Sequence, residues 1–63
     1  MTFAENLRAR RERKKMTRLQ LAIALGCDPQ SIYRWETGTR EPSDATKQRL
    51  ADALGCSVAT LYR

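Results

Sequence analysis

The chain has 63 residues, 12 of them basic and 7 acidic, for a net charge of +5. A chain this short forms one small domain burying only about 60% of its unfolded surface, and with two cysteines and no histidine it cannot complete a four-ligand structural zinc site. No apolar run reaches the ~18 residues of a membrane helix and the start does not read as a signal peptide, so a soluble, cytoplasmic protein is expected.

Helix signals recur along the chain with almost no strand signal. Thr2 and Glu5 form a capping-box pattern that opens a first helix, with Phe3 and Leu7 on one face. Its acidic start at Glu5 and basic end at Arg13, Lys14 and Lys15 suit the helix dipole. Thr17 and Gln20 open a second box, Leu21, Ala22 and Leu25 follow, and Gly26 stops the helix. Asp28-Pro29 then supplies an N-cap and a proline at the first position of a third helix, which closes around Gly38. Thr37 to Pro42 reads as a loop. Ser43 caps a fourth helix containing Leu50, Ala53 and Leu54 and stopped by Gly55; Ser57 starts a short fifth one, with Val58 and Leu61 apolar. The predicted fold class is all-α, five short helices in a single domain over residues 1–63.

Leu21 to Asp28 is echoed by Leu50 to Ser57, each copy reading Leu-Ala-x-Ala-Leu-Gly-Cys before a capping residue. Two copies are too few for a solenoid. The echo reads as one local solution used twice: a helix stopped at glycine, a small apolar residue behind it, and a cap for the next helix. On that reading Cys27 and Cys56 are small buried hydrophobes; the other reading is a redox or disulfide role.

The basic charge is concentrated. Arg8, Arg10, Arg11, Arg13, Lys14, Lys15 and Arg18 face Glu12 alone within residues 8–18. Such a local field points to a polyanion, most often nucleic acid, against the plainer reading of a solvated helix face. The two helices joined at Gly26-Cys27-Asp28, just after that segment, form a helix-turn-helix pattern over residues 17–36, in which one helix enters the major groove and the other braces it. In the third helix Ile32, Trp35 and Glu36 share the inner side, and Pro29, Gln30, Tyr33 and Arg34 fall opposite. Gln30 and Arg34 stack along one exposed edge. Glutamine can pair with adenine and arginine with guanine through two hydrogen bonds each.

From Leu7 to Leu61 the chain resembles the Cro and phage-repressor (XRE-type) family of helix-turn-helix DNA-binding domains. The resemblance is carried by Met16-Thr17, Leu21-Ala22, Leu25-Gly26, Ser31-Ile32-x-x-Trp35-Glu36-x-Gly38, Pro42 and Leu50-Ala51-x-Ala53-Leu54-Gly55. It implies a compact, lambda-repressor-like domain of five helices that leaves no room for a separate effector domain. It also implies a partner, double-stranded DNA, and a role in transcription regulation, as a repressor binding a short inverted repeat.

The family's pattern assigns roles residue by residue. Pro29, Gln30, Ser31 and Arg34 take the base-facing positions of the recognition helix. Thr17, Arg18, Tyr33, Thr37, Thr39 and Arg40 take the phosphate-contacting ones, with Arg18 standing where the family usually has a glutamine. Arg11 and Glu36 match a pair expected to form a partly buried ion pair that fixes the angle of the third helix. Three departures stand out. Pro29 has no side-chain donor, Arg10 replaces a more usual apolar residue, and Lys15 stands where a glycine often ends the first helix.

One recognition helix reads only a few base pairs, so a homodimer is expected, at least on DNA, with Val58, Leu61 and Tyr62 as its exposed apolar surface. The alternative function is a small protein-interaction module, an antitoxin or adaptor, with secondary DNA binding. An enzyme is the weakest reading, because no nucleophile has an obvious base and there is no Gly-rich phosphate loop. No cofactor, metal, membrane or small-molecule ligand is expected.

Overall fold

The computed structural model describes residues 2–62. Four α-helices follow one another: α1 (Phe3–Arg13), α2 (Arg18–Leu25), α3 (Pro29–Thr37) and α4 (Asp44–Leu54). The described residues contain no strand. The expected fifth helix is corrected to a single 3-10 turn, Ala59–Tyr62. Its bonds run three residues back, Thr60 N–H to the Ser57 carbonyl at 3.1 Å and Leu61 N–H to that of Val58 at 3.0 Å. So short a segment is fixed by packing rather than by an α ladder.

The helix starts follow from local side chains. Thr2 Oγ1 accepts the Glu5 N–H while Glu5 returns a carboxylate to the Thr2 N–H, and Thr17 and Gln20 repeat the exchange at α2. Asp28 caps Gln30 ahead of α3, and Ser43 caps Thr46 ahead of α4.

The helix ends reuse one device three times. Cys27 N–H reaches the Ala22 carbonyl and Gly26 N–H that of Ile23; Cys56 and Gly55 do the same to Ala51 and Asp52. Met16 and Lys15 make the equivalent bonds to Arg11 and Glu12 at the end of α1. This is a Schellman motif, in which the residue behind the left-handed position packs on the core. Met16, Cys27 and Cys56 all do so, which is the structural content of the echoed segment. Both cysteines are free and partly buried, and burial pushes the Cys27 thiol up, away from the reactive thiolate.

Lys15 holds the left-handed position of α1 at φ 57°, where Gly26 and Gly55 serve α2 and α4. A side chain in that conformation costs about 1 kcal/mol relative to glycine, offset in part by glycine's freer unfolded chain. Lys15→Gly should therefore raise the thermal midpoint by about 2–5 °C, read by circular dichroism. An unchanged or lowered midpoint would show the strain to be absent.

The core lies where all five elements meet: Leu7 of α1, Leu21, Ala22 and Leu25 of α2, Ile32 of α3, Leu50, Ala51 and Leu54 of α4, and Leu61 of the turn. Asn6 ties the turn down, its buried side-chain amide donating to the Leu61 carbonyl at 2.9 Å. Tyr62 then stacks against Phe3 with centroids 5.3 Å apart. The Lys47 ammonium lies 5.5 Å from the Phe3 ring and 5.1 Å from the Tyr62 ring, and its hydrogen bond to Glu41 holds it firmly protonated.

Candidate nucleic-acid interface

The turn Gly26–Asp28 sets α3 against both α2 and α1. Ile32 and Glu36 are buried on the inner side, while Gln30, Tyr33 and Arg34 are exposed on the outer one and Pro29 and Ser31 are intermediate. Gln30 and Arg34, four apart, form a polar edge along the outside of α3. Trp35, expected inside, is only partly buried.

Beneath that edge lies a buried ion pair between α1 and α3. Glu36 has a side chain only 1% exposed. Arg11 of α1 donates from Nε to Glu36 Oε2 at 2.6 Å and from Nη2 to Oε1 at 3.1 Å. Its third nitrogen, Nη1, reaches the Met16 carbonyl at 2.8 Å. The bond to Glu36 holds the Arg11 guanidinium above its ordinary range. Arg18 of α2 adds a second clasp, Nε to Glu36 Oε1 at 3.0 Å, and stacks over the Tyr33 ring at 5.2 Å. One carboxylate on α3 thus holds α1 and α2 in place.

Arg18 uses only its Nε in this clasp. Its Nη groups find no acceptor among the described residues, so it braces α3 with those donors unpaired. Thr17 Oγ1 accepts the Gln20 N–H at 3.0 Å, which leaves its own proton free to donate. Thr37 and Thr39 bond each other through their hydroxyls at 2.9 Å, and the backbone N–H groups of Thr39 and Arg40 both fold back onto the Arg34 carbonyl. That loop is therefore internally braced, and among the described residues neither Arg34 nor Arg40 has an ion-pair partner.

The basic run of α1 does not act as one face. Arg11 is buried on Glu36, Arg8 pairs with Glu12 at 3.3 Å, and the Lys14 ammonium lies beside Gly55 at the C-terminal end of α4. Arg13 and Lys15 remain exposed.

At the C-terminus the expected apolar surface is corrected. Leu61 has no exposed area, because the 3-10 turn aims it into the core, and Val58 is partly buried. Only Tyr62 is open, at 50%, and it also packs on Phe3 and Lys47. Sequence reasoning missed the apolar pair that is exposed, Leu19 at 57% and Ile23 at 71%, four residues apart on the outer face of α2. It also missed Arg49, which donates to the Leu25 carbonyl and so closes the end of α2 from α4.

Among the described residues no three His, Cys, Asp or Glu side chains group as metal ligands, and no helix is long and apolar enough to cross a membrane. A family model described as helix-turn-helix matches residues 7–61. Among solved structures, the DNA-binding domain of the P22 C2 repressor is 31% identical with a TM-score of 0.93, over 97% of this chain and 80% of that one. The restriction-modification controller protein C.AhdI from Aeromonas hydrophila is 30% identical with a TM-score of 0.91, over 95% of this chain and 91% of that one. Hydroxypropylphosphonic acid epoxidase from S. wedmorenis is 39% identical with a TM-score of 0.89, over 97% of this chain but only 32% of that one. This chain therefore spans about a third of the epoxidase's length. No curated protein matches the sequence.

Proposed function

The chain belongs to the Cro and phage-repressor (XRE-type) helix-turn-helix family, and on that premise we propose that it is a sequence-specific regulator of transcription that binds double-stranded DNA through the major groove. The observation that carries this reading is the exposed Gln30–Arg34 edge of α3, backed by a carboxylate that anchors the same helix to α1 and α2. An edge held this rigidly keeps its donors at fixed spacing, which is what base readout requires. The P22 C2 repressor domain and the controller protein, both matched over nearly all of this chain, support the same reading.

In the finer form of this proposal the protein is a cytoplasmic repressor acting as a homodimer on a short inverted repeat. Gln30, Ser31 and Arg34 read bases, and Pro29 starts the helix with at most an apolar contact to a thymine methyl. Arg18, Arg40, Thr17, Tyr33, Thr37 and Thr39 hold the backbone. The domain measures 25 × 23 × 20 Å between its outermost Cα atoms, so two copies fit side by side on half-sites about 34 Å apart. Tyr62 is the exposed aromatic residue at the C-terminal turn, and we place it in the contact between copies. Tyr62→Ser should then reduce two-to-one binding on an inverted repeat while leaving half-site affinity intact. Unchanged stoichiometry would remove Tyr62 from that contact. The epoxidase activity belongs to a protein of which this chain spans about a third, and the role proposed here is not enzymatic.

Fluorescence anisotropy with a mixed-sequence duplex tests DNA binding itself. Affinity should fall steeply with salt, by about 0.9 log unit per log unit of salt for each phosphate neutralised. Salt-independent binding, or none at low salt, would overturn the proposal in favour of a protein partner.

A further inference from the structure

Lys47 sits where four segments of the chain meet. It belongs to α4, and its side chain is only 10% exposed. The ammonium lies 5.5 Å from the Phe3 ring at the start of α1 and 5.1 Å from the Tyr62 ring of the C-terminal turn. It donates to Glu41 Oε1 at 2.9 Å, and the Asp44 carboxylate stands 3.9 Å away. Two rings and two carboxylates fix the position of this one charge.

Glu41 is placed quite differently. Its side chain is 68% exposed, and it follows Arg40 in the loop that carries Thr37, Thr39 and Arg40. Two open clefts border that loop, and each is lined by both Arg40 and Glu41. The carboxylate therefore opens onto the same space as a guanidinium that has no ion-pair partner among the described residues. Released from Lys47, it would pair with Arg40 and cancel a charge available to DNA. An ion pair with one partner this exposed adds little to stability, so its consequence lies in the state in which it leaves Arg40.

We propose that Lys47 is a positioning residue for DNA binding: by holding the Glu41 carboxylate from the α4 side, it keeps the Arg40 guanidinium unpaired and available to DNA, without touching DNA itself. The proposal rests on the DNA-binding reading and deepens it. Phe3 and Tyr62 take part because they hold the ammonium, which ties the start of α1 and the C-terminal turn to the loop after α3.

Fluorescence anisotropy on the full chain, with a mixed-sequence duplex over a range of salt, tests this through three variants. Lys47→Met keeps an unbranched apolar stem and removes the charge. Affinity should then fall about five- to tenfold at ~0.1 M salt, with the salt slope lowered by about one unit, as for the loss of one phosphate contact. Adding Glu41→Gln to Lys47→Met removes the competing carboxylate and should restore the wild-type slope. A wild-type slope in Lys47→Met overturns the proposal. So does a double variant no better than the single one, which is the result expected of a purely structural lysine.

Glu41→Gln alone should stay within about twofold of wild type, because the charge it removes is already taken up. Tighter binding than that, with a steeper slope, would show Glu41 already drawing on Arg40 and would overturn the proposal. This exposed variant decides if Lys47→Met melts below the assay temperature. If the wild-type chain binds no duplex at low salt, the DNA reading itself has failed.

Discussion

Replacing Glu36 by glutamine should destabilise the fold by about 3–5 kcal/mol, the usual cost of removing one partner from a buried ion pair. Glu36 is buried with a side chain 1% exposed and accepts from Arg11 twice and Arg18 once. A neutral amide offers one acceptor oxygen and leaves the Arg11 guanidinium charged, buried and short of a partner. Native domains are stable by only about 0.05–0.15 kcal/mol per residue, so this loss removes much of what 63 residues can hold. The exposed Arg8–Glu12 pair, one turn apart on α1, should by contrast contribute about 0.3–0.5 kcal/mol. Urea unfolding of Glu36→Gln and of Glu12→Gln gives the comparison directly. The double variant Arg11→Met, Glu36→Leu should recover much of the loss, because an apolar pair of similar volume needs no counter-charge. If Glu36→Gln lost less than about 1 kcal/mol, the pair would not be what sets α3 in place.

Arg34→Ala should weaken binding to the preferred sequence by roughly 1–3 kcal/mol and flatten the preference at one base pair. Arg34 is exposed on the outer edge of α3 and makes no ion pair among the described residues, so its removal leaves the fold unchanged. Arg18→Ala should behave differently. It removes a charged donor, which lowers the salt slope by about one unit for all sequences alike. It also removes the second clasp on Glu36 and the stack on Tyr33, so some stability goes with it. Arg18→Gln should lower the slope equally while keeping more of the affinity. If Arg34→Ala weakened every sequence uniformly, as Arg18→Ala should, then Arg34 would be a phosphate contact and base reading would rest on Gln30 and Ser31.

The features most legible in the sequence are those settled within a few residues. Thr2, Thr17, Asp28 and Ser43 cap their helices through bonds two or three residues long, so the residue type at that spacing is enough. Gly26, Gly38 and Gly55 end helices for a similarly local reason, since each holds a positive φ. What failed is tertiary. Four residues from Ala59 to Tyr62 cannot tell a 3-10 turn from an α-helix, nor which of Leu61 and Tyr62 faces inward, until α1 supplies Asn6 and Phe3 as partners. The clasp of Arg18 on Glu36 spans 18 positions, and no local pattern announces it. The pairing of Arg11 with Glu36, 25 positions apart, came from the family resemblance and not from spacing. The outward face of Leu19 and Ile23 was hidden for another reason. Leu21, Ala22 and Leu25 already account for an inward stripe, and composition alone does not say which leucines are left over.

Selection from a randomised duplex pool at near-physiological salt tests sequence-specific DNA binding by this chain. An inverted repeat with half-sites about one helical turn apart should be enriched, with the preference lost at one position in Arg34→Ala. A single enriched motif without symmetry would retain the DNA function and remove the dimer. Retention with no enriched sequence would contradict base reading by α3 and leave only attraction to phosphate.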